Sequence, residues 1–200
     1  MRNNIARDLH DEIGSSLSSI SIFSKLARRH INTKEANPDI LLQKINEDAS
    51  GAMDSMSDIV WSINTKNDNL ENVFYRMREH ATQLLEAKNY TVHFKFDERL
   101  QPIKLDMQSR RDLYLIYKEA LNNIAKYADG ENVWIALSLN NNKIELHIKD
   151  DGSGFDKTKL NGKGNGLSNM QKRADAIGAA FNIESKPNEG AELHLSFQKK

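Results

Sequence analysis

The chain has 200 residues, in which 28 Lys and Arg balance 28 Asp and Glu, with no cysteine and a mean hydropathy of -0.66. This balance leaves no whole-chain field to gather a polyanion, so nucleic acid is not an expected partner. Disulfides and thiolate metal sites are excluded, and no apolar run reaches the length of a membrane helix or follows a signal-peptide pattern, so the fragment reads as cytoplasmic and does not itself span a membrane.

On a helical wheel Ile5, Leu9, Ile13, Ser16, Ile20, Phe23 and Ala27 fall within about 80°, which predicts a first helix over residues 4–30. The pattern is already in step at Ile5, as in a helix continued from a longer one. A sensor or membrane-anchored part of the parent protein is therefore expected upstream. Residues 32–38 break the pattern, and Pro38 suits the first position of a second helix. There Leu41, Ile45, Ala49, Ala52, Met53, Met56, Ile59, Val60 and Ile63 share an arc of about 120°. Two helices cannot bury stripes this wide against each other alone. A second hairpin from another copy would complete a four-helix bundle, so a homodimer is expected, the alternative being packing on the C-terminal part.

The polar run Asn64 to Asn72 (NTKNDNLEN) suits a hinge. Beyond it the spacing predicts a helix over 72–88, a strand over 91–96 and a helix over 108–128. Strands follow over 132–139 and 143–149, joined by Asn140-Asn141-Asn142, then a helix over 165–177 and strands over 181–185 and 191–197 joined by Pro187-Asn188-Glu189-Gly190. The expected fold class is α+β: a helical hairpin, residues 1–66, then an α/β sandwich with a mixed sheet and helices on one face, residues 67–200.

Four clusters could carry chemistry. In the first helix His10 is followed by Asp11, and a histidine acts as a nucleophile when a neighbour holds or accepts its other ring proton. Alone, this reads more readily as a solvated helix face. In the long helix Glu119, Asn123 and Lys126 lie within about 60° of each other, off the apolar stripe. They form either an ordinary polar face or a set in which two oxygens hold hydrated Mg2+ while an ammonium meets a phosphate. Asp150-Asp151-Gly152-Ser153-Gly154-Phe155 closes a strand with a turn that brings backbone near a ligand, or is simply a hairpin turn. Gly162-Lys163-Gly164-Asn165-Gly166-Leu167 precedes a helix, where free N–H groups favour a phosphate.

In this order and spacing, EALNNIAKYAD, DDGSGF and GKGNGLSNM resemble the N, G1 and G2 boxes of the GHKL ATP-binding fold. With HDEIGSSL ahead of them in a helical hairpin, the chain resembles two-component sensor histidine kinases of the HDxxxQ-type class. The resemblance implies autophosphorylation of His10 from ATP with Asp11 as its acid/base partner, and transfer to an aspartate on a response regulator receiver domain. It makes Asn123, with Glu119 assisting, the Mg2+ holder. Asp150 would read adenine, Lys126, Gly152, Gly154, Gly164, Gly166 and Leu167 would line the nucleotide site, and the segment between Phe155 and Gly164 would be a short lid.

Three positions depart from the family pattern. Ser15 stands where the motif has glutamine, which puts dephosphorylation of the partner in doubt. Tyr127 replaces a common histidine and is expected to pack, and Ala191 replaces a hydroxyl residue near the nucleotide. The histidines at 30, 80, 93, 147 and 194 show no metal-ligand spacing. The competing readings are a GHKL ATPase or serine protein kinase, which leaves His10 and Asp11 without a task, and a degenerate module that dimerises and binds ATP without phosphotransfer.

Overall fold

The computed structural model describes residues 14, 17–28, 38–64, 68–156 and 165–199. The chain forms two compact units, Met1–Asn64 and Thr65–Lys200.

The described part of the first unit is helical. Helix α1 occupies residues 17–28 and α2 spans Pro38–Ile63. Ala27, Ala52 and Ile59 are buried, and Lys44 Nζ stands 5.4 Å from the centre of the Phe23 ring, joining α1 to α2. Along α2, however, Met53, Met56, Val60 and Ile63 remain 45% to 65% exposed. Their spacing of three and four residues puts them on one side of the helix, so a single chain leaves an apolar stripe uncovered.

The second unit is built on five strands: β1 (Thr91–Phe96), β2 (Asn132–Asn140), β3 (Lys143–Asp150), β4 (Ala180–Ser185) and β5 (Ala191–Gln198), in the order β1-β2-β3-β5-β4. Only β1 and β2 run parallel, because a helix intervenes between them, whereas the other neighbours pair antiparallel. Alternation divides the sheet into faces: Val133, Ile135, Leu137, Ile144, Leu146, Ile148, Leu193, Leu195 and Phe197 are buried. The β2–β3 hairpin turns on Asn141 and Asn142, both at positive φ (46° and 62°), as a two-residue turn matching strand twist requires.

Helices α3 (Leu70–Leu85), α4 (Met107–Tyr127) and α5 (Asn165–Ala176) cover the buried face. The apolar stripe of α4, made of Leu113, Ile116, Tyr117, Ala120, Leu121 and Ile124 and continued by Ala128, is buried. Asp106 caps the helix, accepting the Ser109 N–H at 3.0 Å and its hydroxyl at 2.7 Å. Toward its start α4 also buries polar side chains: Arg110 pairs with Asp68, and Asp112 lies 3.3 Å from Arg173 on α5.

The expected hinge is corrected in part. Its second half belongs to the folded unit: α3 begins at Leu70, which is fully buried, and the Leu70 N–H donates to the Ile103 carbonyl at 2.9 Å. Asp68 accepts the Leu105 N–H at 2.8 Å through its carbonyl. A polar run hid one core leucine.

Candidate functional site

Because α4 turns its apolar stripe inward, Glu119 and Asn123 stand half-buried and Lys126 exposed on a different side of the helix. The Glu119 carboxylate reaches the first turn of α5, where a Cβ added at Gly166 would collide with its Oε1. Leu167 follows, half-buried, and Met170 and Ala174 anchor the helix in the core. The donor set fits a hydrated Mg2+ ion, since a carboxylate and an amide oxygen four residues apart on one face are hard ligands.

At the end of β3 two adjacent aspartates have opposite surroundings. Asp150 is 3% exposed, and its Oδ1 accepts the Gly152 N–H at 2.9 Å. Burial pushes its carboxyl above the usual carboxylate range, outweighing hydrogen bonds from the Gly152 and Ala191 N–H groups, and neighbouring Asp151 adds to the rise. Asp151 is exposed and already engaged. Its Oδ1 accepts the N–H groups of Glu131 at 2.9 Å and Asn132 at 2.8 Å, and its Oδ2 accepts Asn132 Nδ2 at 2.8 Å. Desolvation is the largest single influence and raises its carboxyl, yet the hydrogen bonds together outweigh it and hold the group below the usual range. Asp151 therefore closes the connection from α4 to β2, whereas Asp150 is a buried carboxyl held by backbone donors alone.

Glycines let three segments meet. A Cβ at Gly152 would run into the Ala128 carbonyl at the end of α4. Gly154, at φ 57°, lies against the Lys186 carbonyl, and Gly190, at φ 71°, lies against that of Asp150. Ser153 fastens the junction: its N–H donates to the Ala128 carbonyl at 2.5 Å and its hydroxyl to that of Tyr127 at 3.2 Å. Its own carbonyl accepts the Asn188 N–H at 2.6 Å. The helix end, the turn after β3 and the β4–β5 hairpin thus form one continuous wall.

Two contributors carry no local motif. The Ser185 hydroxyl accepts the Phe155 N–H at 2.8 Å and donates to the Gly190 carbonyl at 2.7 Å. The Tyr90 hydroxyl accepts the Gly130 N–H at 3.1 Å. Their distant partners, 30 residues away for Ser185 and 40 for Tyr90, leave no mark in the neighbouring sequence. Tyr127 is a correction: its side chain is 72% exposed, because it sits on the last turn of α4 and contributes only its carbonyl to the wall. Ala191 lacks the expected hydroxyl but supplies its N–H to Asp150. His10, Asp11, Ser15, Gly164 and most of the expected lid lie outside the described residues.

Residues 108–200 match the family of histidine kinase-, DNA gyrase B- and HSP90-like ATPases, and residues 2–68 match a histidine kinase family, HisKA_3. The chain is 24% identical over 196 residues to the sensor histidine kinase LiaS of Bacillus subtilis (strain 168), covering 97% of this chain and 53% of that protein. It is 26% identical over 207 residues to the oxygen sensor histidine kinase NreB of Staphylococcus carnosus (strain TM300), covering 97% and 55%. In fold it is similar to the Acinetobacter baumannii histidine kinase AdeS, with a TM-score of 0.65 at 13% identity over 91% of this chain and 95% of that one. The chain belongs to the two-component sensor histidine kinases of the HisKA_3 class. It spans about half the length of the curated relatives it matches.

Proposed function

We propose that this chain is the kinase core of a two-component sensor. ATP would bind in the second unit, and the γ-phosphoryl would pass to His10 and then to an aspartate of a response regulator receiver domain. In this reading residues 1–66 are the dimerisation and phosphoacceptor hairpin, and residues 67–200 are the catalytic domain. The single observation that carries it is the wall joining the end of α4, the turn after β3 and the β4–β5 hairpin around buried Asp150.

Asp150 accepts the adenine amino group, a role suited to a carboxyl whose backbone donors already fix its orientation. Glu119 and Asn123 would hold Mg2+, which would supply charge neutralisation at the triphosphate. Lys126 meets a phosphate oxygen, its exposure letting the ammonium reach out from the helix end. Leu167 and the glycines before it frame the phosphates at the start of α5. A His10 ring nitrogen attacks the γ-phosphorus in line, forming a P–N bond as the bond to the ADP oxygen breaks. ADP leaves with the electron pair, and the ring proton passes to the Asp11 carboxylate. Most of the acceleration comes from positioning.

The uncovered stripe of Met53, Met56, Val60 and Ile63 supports a homodimer, with a second α2 closing a four-helix bundle. Phosphoamino-acid analysis after incubation with γ-labelled ATP tests the activity. Phosphohistidine supports the reading, phosphoserine would assign the chain to serine kinases, and ATP binding without any label would make it a degenerate module.

A further inference from the structure

The outer face of the sheet, away from the helices, carries a cluster that the proposed kinase chemistry does not use. Register sets His147 on β3 directly opposite His194 on β5, and strand alternation puts Glu192 on the same face, two residues before His194. The two rings stack with centroids 4.3 Å apart and planes 24° from parallel. Both Nε2 atoms converge on one carboxylate oxygen: Glu192 Oε1 lies 2.7 Å from that of His147 and 2.9 Å from that of His194. Glu192 is held as the carboxylate by the His194 hydrogen bond first, with His147 and Lys149 adding to it against some desolvation.

We propose that His147, Glu192 and His194 form a binding site for a divalent transition-metal ion of the Zn2+, Ni2+ or Cu2+ type. Two imidazoles and one carboxylate are borderline ligands that these ions prefer, whereas Mg2+ and Ca2+ take all-oxygen sets. The three ligand atoms already lie within 4.8 Å of one another. Around a tetrahedral Zn2+ with bonds of ~2.0 Å they would stand roughly 3.3 Å apart, so the two nitrogen–oxygen distances lengthen from 2.7 and 2.9 Å and the two nitrogens take the same spacing, adjustments within reach of side-chain rotation. Each ring binds as the neutral tautomer with its proton on Nδ1, a proton on Nε2 moving to Nδ1 by exchange with water, and the ion takes the place between the two Nε2 lone pairs and the carboxylate. Three protein ligands leave a coordination position for water.

The surroundings permit entry. His147 and Glu192 are about one-third exposed and His194 is 52% exposed, and β2 presents only Ala136 beside His147. Lys149 Nζ stands 3.7 Å from Glu192 Oε2, the other oxygen, so the ammonium opposes the ion without occupying the shared oxygen. Among the described residues no other group of three or more His, Asp and Glu side chains converges in this way.

The test is calorimetric titration of the whole chain with ZnCl2 in excess Mg2+ at neutral pH, the magnesium filling oxygen-only sites. One saturable zinc per chain is expected. His147→Gln and His194→Gln should each weaken it about tenfold or more, while His93→Gln, on the same face but stacked on Trp134, should not. Cu2+ electron paramagnetic resonance should show coupling to imidazole nitrogen in the wild type and lose it in the double variant. Should a glutamine variant misfold by circular dichroism, Lys149→Ala decides the matter, because removing the ammonium should tighten zinc. Absence of zinc binding, or binding indifferent to both histidines and to Lys149, would overturn the site.

Discussion

A Cβ on Gly152 would overlap the backbone carbonyl of Ala128, so the turn after β3 meets the end of α4 with no room for a side chain. The same carbonyl accepts the Ser153 N–H, which fixes the distance between the two segments.

Gly152→Ala should therefore force backbone apart. Since the obstructing atoms belong to the main chain, we expect a loss of about 1–3 kcal/mol in stability, as for other overpacked sites. ATP affinity should fall with it, because Asp150 orients through the Gly152 N–H. Chemical denaturation with and without ATP measures both.

Gly166→Ala is the contrasting case. Here the obstacle is the end of the flexible Glu119 side chain, which can swing away, and alanine favours a helix over glycine by roughly 0.5–1 kcal/mol. The melting temperature should stay level or rise. Autophosphorylation should nonetheless drop about tenfold or more, because Glu119 leaves its place, a loss of about 1.4 kcal/mol of transition-state stabilisation.

Asp150→Asn and Asp151→Asn should separate binding from stability. An amide at position 150 must turn its NH2 toward either a backbone donor or the adenine amino group, so ATP affinity should fall about ten- to a hundredfold, the worth of a hydrogen bond to a charged group. At position 151 the amide faces three donors with one acceptor oxygen, so stability falls while ATP affinity at saturating folded protein stays level. The pH dependence follows the same division. Because the Asp150 carboxyl titrates above the usual range, wild-type ATP binding should begin to weaken on acidification before ordinary carboxylates protonate.

Asp97 gives an acid-sensitive element of the fold. Its carboxylate accepts the Arg99 side chain at 2.6 Å and the Leu139 N–H at 3.2 Å. The Arg99 hydrogen bond chiefly, with the backbone donors, holds its carboxyl well below the usual range against some desolvation. A lowered carboxylate adds stability above its unfolded-state pKa and loses it as pH falls toward the folded value. Asp97→Asn should thus destabilise the protein at neutral pH, with the gap to wild type closing in acid. Urea unfolding at a series of pH values checks this.

Much of the fold was legible because periodicity and turn chemistry are local. The α4 stripe from Leu113 to Ala128 and the Asn141-Asn142 turn follow from spacing and from tolerance of positive φ. What escaped the sequence depended on distant partners. Arg110 and Asp112 look like surface charges until Asp68 and Arg173 arrive from other segments. Leu70 was lost in a polar run although Ile103 pins it, and Tyr127, read as packing, stands in solvent. In the candidate site, order and spacing marked Asp150, Gly152 and Glu119. No pattern marked Ser185 and Tyr90, which brace the wall from far along the chain. His147 and His194 likewise become neighbours only through strand register.

The central claim is that the phosphoryl group of ATP ends on His10. The most direct measurement is incubation with γ-labelled ATP of wild type and His10→Gln, each checked for folding and ATP binding. An acid-labile, alkali-stable label on the wild type that is absent from His10→Gln is the predicted result. Equal labelling of the two proteins would contradict it.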